Sequence, residues 1–272
     1  MGLTRAVTVA VATNVGNSRQ NHEDNMITAQ ARFLTLATVG EMSANRRTVV
    51  DRVQHKPGAF LCAVSDGMGG HASGEIASWL SVKYLSEHYK QVLAAAKTGP
   101  AAIVQEVNRV NQAVCAVAKA DPNCAGMGAT LSGLVMSGRN LYGFHIGDSR
   151  IYRFCDGELI QLSVDHTEGQ RLLNMGLLSR EEVMKHPHRK AVCRYIGYDG
   201  PVEPDVFAVE VPKKGVFLLC SDGLTDVLSD LEIARILGNG WGLKERAELL
   251  VSNAVPRNPG HGDNVTVMLL EM

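Results

Sequence analysis

Apolar residues recur along the chain with two different periods. Residues 6–13, AVTVAVAT, alternate small and β-branched side chains, which predicts a strand. The runs at 60–64 and 216–220 are continuously apolar but short, as is typical of strands buried on both faces. A helical period appears elsewhere, most clearly in the single apolar stripe made by Ile103, Val107, Val110, Val114 and Val117.

The predicted helices form two blocks, each flanked by strands. The first block covers residues 73–96, with Ser73 as the predicted N-cap, and residues 100–121. The second block contains one helix that opens with a capping box at Ser229 and another over residues 244–255. Helices grouped in this way are expected to lie in pairs on the outer faces of a layered fold.

The strands between the two blocks are joined by short connections. Apolar runs at 129–136, 140–147, 150–154 and 158–163 follow one another closely, the last two across an Asp-Gly turn. Connections this short favour antiparallel pairing over a parallel, doubly wound sheet. We therefore predict an α+β fold, an α-β-β-α sandwich of two antiparallel sheets with helix pairs on both outer faces.

Two segments lie outside this pattern. Residues 31–58 have no clean period and a basic middle, and we interpret them as an insertion or extended loop that joins two strands. The simplest interpretation of their charged residues is a face exposed to solvent. The alternative is that these residues contact a partner or substrate. Residues 165–198 are polar and helical, and we interpret them as a flap outside the sheets. No linker rich in Pro, Gly or Ser divides the chain, so residues 1–272 are expected to form a single domain.

Composition and charge exclude some classes of partner. The 272 residues are 45% hydrophobic and 20% charged, with a formal net charge of -1. This balance gives no global attraction to nucleic acid or to an anionic membrane, and no apolar run is long enough to span a bilayer. The 6 cysteines form no Cys-x-x-Cys pair, which favours reduced thiols and a cytoplasmic location. We expect neither a nucleic acid nor a membrane partner.

Carboxylates stand where several predicted strands end or begin. Asp66 follows one buried run and is itself followed by Gly67, and Asp222 holds the same position after the other buried run. Asp148 follows a third strand, and Asp263 precedes the last one. A carboxylate on a loop loosened by glycine suits a hard cation, whereas the plainer interpretation of Asp-Gly is turn chemistry.

A polar loop near the start of the chain carries further candidates. Residues 14–25 contain Arg19 and the acidic pair Glu23 and Asp24 between two strand-like runs. A loop of this polarity is usually solvated surface. The functional alternative is that its arginine and its two acids point into a site on a rigid scaffold.

Motifs across almost the whole chain resemble one enzyme family. In order they are RQNHED, AVSDGMGGH, GATLSG, FHIGDSRIYRF, VDHT, HPHRKAVCRYIG, LLCSDGLTD and GDNVTV. Together they resemble the metal-dependent serine/threonine protein phosphatases of type 2C, particularly the bacterial members. The family fold is two antiparallel sheets packed face to face with helices on both outer faces, which agrees with the pattern described above.

The resemblance implies a centre with two metal ions. Asp66 would bridge the two ions, and Gly67 would offer its carbonyl oxygen to one of them. Asp222 and Asp263 would complete the coordination of the other ion. Mg²⁺ and Mn²⁺ prefer oxygen ligands, and two such ions about 4 Å apart activate water and clamp a phosphate. Several carboxylates are needed because two cations this close repel each other.

Further roles follow from the same resemblance. Glu23 and Asp24 would act near the second ion, directly or through bound water. Arg19 would hold the substrate phosphate as a bidentate, permanently charged fork. Asp148 matches the position that helps to bind a third, weaker ion in bacterial relatives, and Asn264 would orient neighbouring carboxylates.

The chain departs from the family pattern at three positions. Met68 stands where many eukaryotic members have a histidine, so a metal-bound water or another group must protonate the leaving oxygen. His22 replaces the more usual Asn before the acidic pair, and Cys193 replaces the more usual Thr in the flap. None of the three changes removes an expected metal ligand.

The implied activity is hydrolysis of phosphoserine and phosphothreonine on proteins by water that the two metal ions activate. The implied cofactors are Mg²⁺ or Mn²⁺, and the implied partners are phosphoproteins that a serine/threonine kinase has modified. Two alternatives stay open. One is a non-catalytic regulatory module on the same fold, and the other is a phosphomonoesterase that acts on small molecules.

Overall fold

The computed structural model describes residues 7–17, 19, 21–28, 32–34, 49–55, 58–68, 73–212, 214–257 and 262–272. Its strands, in chain order, are β1 (Val7–Asn14), β2 (Asn25–Thr28), β3 (Arg32–Leu34), β4 (Val49–His55), β5 (Ala59–Ser65), β6 (Gly67–Met68), β7 (Gly128–Ala129), β8 (Leu131–Ser137), β9 (Asn140–Ile146), β10 (Arg150–Cys155), β11 (Glu158–Gln161), β12 (Asp205–Ala208), β13 (Val216–Cys220) and β14 (Val265–Glu271).

Most of these strands form two six-stranded sheets. The first sheet has the order β11-β10-β13-β14-β1-β4, and the second has the order β12-β9-β8-β5-β2-β3. Neighbouring strands are antiparallel throughout both sheets, as the short connections predict. The two short strands β6 and β7 pair separately. The chain passes from the second sheet to the first in the turn between β9 and β10.

The helices, in chain order, are α1 (Gly74–Glu87), α2 (Tyr89–Thr98), α3 (Pro100–Ala120), α4 (Glu168–Asn174), α5 (Arg180–Lys185), α6 (Asp222–Thr225), α7 (Asp230–Leu237) and α8 (Leu243–Ala254). Helices α1 to α3 pack on the outer face of the second sheet, and α7 and α8 pack on the outer face of the first. None of the described helices is both long and apolar enough to cross a bilayer.

Three apolar layers hold the sandwich together. The central layer joins the facing sides of the two sheets, where Phe60 and Phe217 are fully buried. An outer layer joins the second sheet to α1, α2 and α3, and another joins the first sheet to α7 and α8. Because every strand of a sandwich centre is covered on both faces, the runs at 60–64 and 216–220 are continuously apolar rather than alternating.

The layered α+β prediction is confirmed, with corrections in detail. Three helices rather than a pair cover the second sheet, because the helical segment predicted over 73–96 is interrupted at His88. Ser73 does precede α1, but it has a left-handed backbone with φ of 81° and makes no side-chain cap. Its hydroxyl instead donates to the carbonyl oxygen of Asn123 at 3.1 Å.

The interpretation of 31–58 as a loop is wrong for part of that segment. Its residues 32–34 form β3 and its residues 49–55 form β4, and each is the edge strand of a sheet. Edge strands commonly carry charged side chains, which protect the open edge of the sheet. An apolar period is therefore weak or absent in their sequences. Residues 35–48 lie outside the described residues.

The segment interpreted as a flap contains α4 and α5. Residues 165–198, all of which the structure describes, contribute no strand to either six-stranded sheet. Helix α5 begins with a reciprocal capping box between Ser179 and Glu182, as its sequence predicts. Isolated bridges join Thr167 to Val192 within the segment and Ile196 to Ala129 of β7.

Candidate metal centre

The ends of the central strands meet at one end of the sandwich. The antiparallel register places the C-terminal ends of β1, β5, β9 and β13 beside the N-terminal ends of β2, β8, β10 and β14. The loops that leave these ends enclose a cavity of about 270 Å³. The cavity is lined by Arg19, Glu23, Asp66, Gly67, Met68, Asp148, Lys190, Val192, Asp222 and Asp263.

Most of the predicted site residues therefore come together. Asp66, Asp148 and Asp222 each follow a strand, and Asp263 precedes one, so the fold delivers four carboxylates from distant parts of the chain to one cavity. Arg19, Glu23 and Gly67 line the same cavity. Among the residues predicted to hold metal, Asp24 is not part of this lining.

Burial and mutual repulsion perturb the acids strongly. Burial raises the pKa of Asp66 well above its usual range, and the charges of Asp24 and Asp222 raise it further. Burial also raises the pKa of Asp222 well above its usual range, with Asp148 and Asp226 as the next causes. The pKa of Asp148 is raised to about 7 by burial and then by nearby carboxylates. A bound cation would relieve this excess of negative charge.

Asp24 stands behind the cavity wall. It is buried, and Ser221 Oγ donates a hydrogen bond to its Oδ2 at 2.7 Å. Burial raises its pKa to about 6, while hydrogen bonds from Thr266 and Ser221 oppose the shift. The sequence predicts that Asp24 acts near the second ion. That role stays a prediction, and the described residues add that the charge of Asp24 raises the pKa of Asp66.

Asn264 positions both a carboxylate and a loop. Its backbone N–H donates to Oδ1 of Asp263 at 2.8 Å, and the predicted orienting role of its side chain toward carboxylates stays a prediction. Its side chain does something the sequence does not indicate. Asn264 Oδ1 accepts from the backbone N–H of Glu23 at 2.6 Å, and Nδ2 donates to the carbonyl oxygens of Val15 and Asn21 at 2.9 and 3.1 Å. The residue thereby fixes the loop that presents Glu23.

Gly67 allows two backbone segments to approach closely beside the cavity. A Cβ atom at this position would lie 2.3 Å from the carbonyl carbon and oxygen of Gly74, at the start of α1. The backbone N–H of Gly67 donates to the carbonyl oxygen of Glu23 at 3.1 Å. Any larger residue would push α1 away from the loop, so the glycine is required by packing as well as by its place beside Asp66.

His22 is a buried structural residue. Its Nε2 is hydrogen-bonded to Thr13 Oγ1 at 2.7 Å, and that hydroxyl is also 2.8 Å from Oγ1 of Thr266. Burial lowers the pKa of His22 to about 4, so the imidazole is neutral near pH 7. The histidine that replaces the more usual asparagine therefore supports the junction of β1 and β14 and does not enter the cavity lining.

Arg19 and Asp263 form a bidentate pair inside the cavity. Arg19 Nε donates to Oδ1 of Asp263 at 2.9 Å, and Arg19 Nη2 donates to Oδ2 at 2.9 Å. The two residues predicted to hold phosphate and metal thus hold each other. Both remain partly exposed, with 47% and 34% of their side-chain surfaces accessible, so the pair is open to exchange.

The donor set fits a divalent cation. Oδ1 of Asp222 is buried and has no hydrogen-bond partner within the described part of the chain, which leaves it free for a ligand. The lining offers carboxylate and carbonyl oxygens, the ligands that Mg²⁺ and Mn²⁺ prefer. Across the described residues, no three His, Cys, Asp or Glu side chains are arranged to hold one ion together.

Two lining residues come from the flap and were not among the predicted site residues, although both fall within the motif HPHRKAVCRYIG. Lys190 and Val192 lie in the stretch that follows α5, and the bridge between Thr167 and Val192 holds that stretch in place. Lys190 Nζ donates to Oδ2 of Asp226, just beyond α6. Neither residue stands at the end of a sheet strand, which was the pattern that revealed the acids.

Comparison with known proteins agrees with this geometry. The family model described as protein phosphatase 2C matches residues 49–248. The chain belongs to the protein phosphatase 2C family. A serine/threonine phosphatase of Listeria welshimeri is 34% identical over 243 residues, which cover 85% of this chain and 96% of the relative.

Solved structures of protein phosphatase 2C relatives share the whole fold. The serine/threonine phosphatase PstP of Mycobacterium tuberculosis superimposes with a TM-score of 0.77 and 31% identity, covering 98% of this chain and 99% of that one. The catalytic domain of PstP in complex with two manganese ions gives a TM-score of 0.74 and 30% identity, covering 98% and 99% of the two chains. The predicted family and the predicted fold are both confirmed.

Proposed function

We propose that this protein is a metal-dependent phosphatase that removes phosphate from phosphoserine and phosphothreonine of other proteins. The observation that carries the proposal is the convergence of four strand-end carboxylates and Arg19 on one cavity. The relatives named as serine/threonine phosphatases support the same reaction. A non-catalytic module would have no need to retain such a costly cluster of buried charge.

The metal ligands are assigned as follows. Asp66 would hold both divalent ions and the carbonyl oxygen of Gly67 would hold one of them, while Asp222 and Asp263 would complete the ligands of the other. The unpartnered Oδ1 of Asp222 supports this assignment. Mg²⁺ or Mn²⁺ bound there would supply an activated water and positive charge for the phosphoryl oxygens. The manganese ions in the PstP complex support the choice of cofactor.

The remaining acids have supporting roles. Glu23, presented by its anchored loop, acts beside the second ion, and Asp148 is assigned to a third and weaker ion. Asp24, like Glu23, would act near the second ion directly or through bound water, and its charge adds to that of Asp66. These acids hold the cations, and they also repel a phosphate dianion until the cations are bound.

Arg19 is the substrate-binding residue. Its guanidinium already presents two parallel donors, Nε and Nη2, to a carboxylate. A phosphate offers the same spacing of oxygens with a larger charge, so it can take the place of Asp263 on this fork. Arg19 then orients the phosphoryl group without contributing to bond cleavage directly.

The cellular setting follows from the substrate class. We place the protein in the cytoplasm as one domain over residues 1–272, acting in signalling on targets of a serine/threonine kinase, without nucleic acid or membrane partners. The six cysteines, all within the described residues, form no disulfide, which supports a reducing compartment. The flap of residues 165–198 contributes Lys190 and Val192 to the cavity lining.

The experiment is turnover of phosphoserine and phosphothreonine peptides by the purified full chain with Mn²⁺, with Mg²⁺ and with excess chelator. We expect release of inorganic phosphate that depends on added metal and is lost in Asp66→Asn. A panel of small phosphorylated metabolites tests the small-molecule alternative. Turnover of the metabolites alone, or turnover that survives chelation, would contradict the proposal.

A further inference from the structure

The cavity has a second cation that the mechanism does not use. In the described lining, positive charge comes from Arg19 and from Lys190, a flap residue. Arg19 interacts electrostatically with Glu23, Asp66 and Asp263. Lys190 pairs instead with Asp226. The two cations therefore have different acidic partners around the cavity.

Asp226 fixes Lys190 beside the acids. Its charge contributes to the raised pKa values of both Asp148 and Asp222, so it lies near both carboxylates. The ammonium group of Lys190 donates to Oδ2 of Asp226. An ammonium group has three N–H donors, and in the described part of the chain the partner of Lys190 is Asp226. Asp226 thus orients the lysine and leaves donors available to a ligand.

Lys190 stands at the rim of the cavity rather than at its floor. Its side chain is 58% exposed, whereas Oδ1 of Asp222 is buried. A cation at the rim can reach an atom several bonds from the phosphorus of a bound phosphopeptide. The phosphoryl group itself is directed to the floor, where the metal ligands lie.

We propose that Lys190 binds an anionic side chain that neighbours the phosphorylated residue of the substrate, and so makes the enzyme favour acidic phosphopeptides. The geometry behind this inference is the pairing of Lys190 with Asp226 at the rim of the acid-lined cavity. The inference rests on the proposed phosphatase activity. The anion is a carboxylate or a second phosphate group, since an ammonium group accepts either as a point charge. Lys190 is a specificity residue in this role and takes no part in bond cleavage.

The test compares kcat/KM for matched phosphoserine peptides that differ in one neighbouring residue. One peptide carries Gln, one carries Glu, and one carries a non-hydrolysable phosphonate, with each placed in turn at neighbouring positions. In the wild-type enzyme we expect the acidic peptides to be preferred. In Lys190→Gln we expect this preference, the ratio of acidic to neutral kcat/KM, to fall about threefold to fivefold, in keeping with an exposed ion pair.

Three controls make the result decisive. Lys185→Gln removes an exposed flap lysine that does not line the cavity, and its ratio should match the wild type. Lys190→Arg should keep the preference, and Lys190→Glu should reverse it. Raised salt should weaken the wild-type preference, because the pair is at the surface. If Lys190→Gln loses the preference for the Glu peptide, the anion is a carboxylate. If it loses only the preference for the phosphonate peptide, the anion is a phosphate.

A purely structural tether gives a different result. If Lys190 only ties the flap to Asp226, then Lys190→Gln and Asp226→Asn would lower turnover of all the peptides equally and leave the ratio unchanged. That outcome, or an equal loss of preference in Lys185→Gln, would overturn the inference. Absence of turnover for every peptide with the wild-type enzyme would instead contradict the proposed phosphatase activity itself.

Discussion

Arg19 and Asp263 hold each other through two parallel hydrogen bonds of 2.9 Å. Each residue is assigned a different ligand during catalysis, phosphate for Arg19 and a metal ion for Asp263. An ion that takes the Asp263 carboxylate therefore releases the guanidinium for the substrate. Metal binding and readiness for phosphate are coupled through this one pair, because the same carboxylate cannot serve both partners with both of its oxygens.

Removal of Arg19 should strengthen metal binding while it weakens catalysis. In Arg19→Gln the Asp263 carboxylate no longer has a competing partner, so the Kd for Mn²⁺ should fall by about fivefold, the value of an exposed pair of about 1 kcal/mol. The KM for a phosphopeptide should rise. Calorimetric titration with Mn²⁺ and steady-state kinetics measure the two effects.

Arg257→Gln is the matched control for that variant, because Arg257 pairs with Glu232 on the surface away from the cavity. It should leave the Kd for Mn²⁺ unchanged. Weaker Mn²⁺ binding by Arg19→Gln would show that the pair does not compete with the metal.

Asp222→Asn should make the metal-free protein more stable while it lowers the turnover of the enzyme. The substitution removes a carboxylate whose pKa is raised by burial and then by the charges of Asp148 and Asp226, so the metal-free protein should become more stable at pH 8. Turnover with Mn²⁺ should fall by at least about a hundredfold. Loss of a residue that only hydrogen-bonds a metal ligand can already lower activity by up to about a hundredfold, and Asp222 is assigned as a ligand itself. Urea unfolding in chelator and phosphopeptide assays provide the two measurements. A folded Asp222→Asn protein with near-normal turnover would refute the ligand assignment.

The metal-free protein should lose stability as pH rises above about 6.5. Asp148, with a pKa of about 7, and Asp66 and Asp222, with pKa values well above the usual range, bind protons in the folded state that they release on unfolding. Their contribution to the free energy of unfolding is therefore lost as pH rises through the folded pKa values. The buried histidines His22 and His145, with pKa values of about 4 and about 3, oppose this trend only below the pKa of an unfolded histidine.

Urea unfolding in chelator at pH 6.5 and pH 8 measures this dependence. Mn²⁺ should reduce the loss, because bound cations compensate the ionised acids. The slope should be smaller in Asp148→Asn. A metal-free protein that became more stable between these two pH values would contradict the described charge cluster.

Removal of the Ser221 hydroxyl should lower the free energy of unfolding more than removal of an exposed serine hydroxyl. Its Oγ donates to Asp24 at 2.7 Å and accepts from the backbone N–H of Thr266 at 3.0 Å. Ser221→Ala leaves both groups buried without this partner, so the free energy of unfolding should fall by about 1–3 kcal/mol. Ser252→Ala, at an exposed serine that bonds the carbonyl oxygen of Leu249, should change it little. Equal effects in the two variants, measured by urea unfolding, would argue against the bridging role.

The acids could be predicted from the sequence because their position is a local feature. Asp66 and Asp222 each follow a buried apolar run, and in an antiparallel sheet the C-terminal ends of alternate strands lie at the same edge. Lys190 could not be predicted in the same way, since its place depends on how the flap folds back over the cavity. The bidentate bond between Arg19 and Asp263 was equally invisible, because it joins residues separated by almost the entire chain.

The limits of the fold prediction have a similar cause. Strand β4 pairs with β1 at the edge of its sheet. Edge strands commonly carry charged residues, so the sequence of β4 shows no clear apolar period. The break at His88 depends on how α1 and α2 pack on the second sheet. Strong local signals such as the Ser229 and Glu232 capping box were predicted correctly, because both partners lie within one helical turn.

The most direct test of the account is a crystal structure of the protein soaked in Mn²⁺, with the ions located by their anomalous scattering. We predict two strong manganese peaks in the cavity, with ligands from Asp66, Asp222 and Asp263, and with Asp263 turned away from Arg19. Well-ordered density for the cavity with no manganese in it, or manganese bound only elsewhere on the molecule, would contradict the central claim that these acids hold a pair of divalent ions.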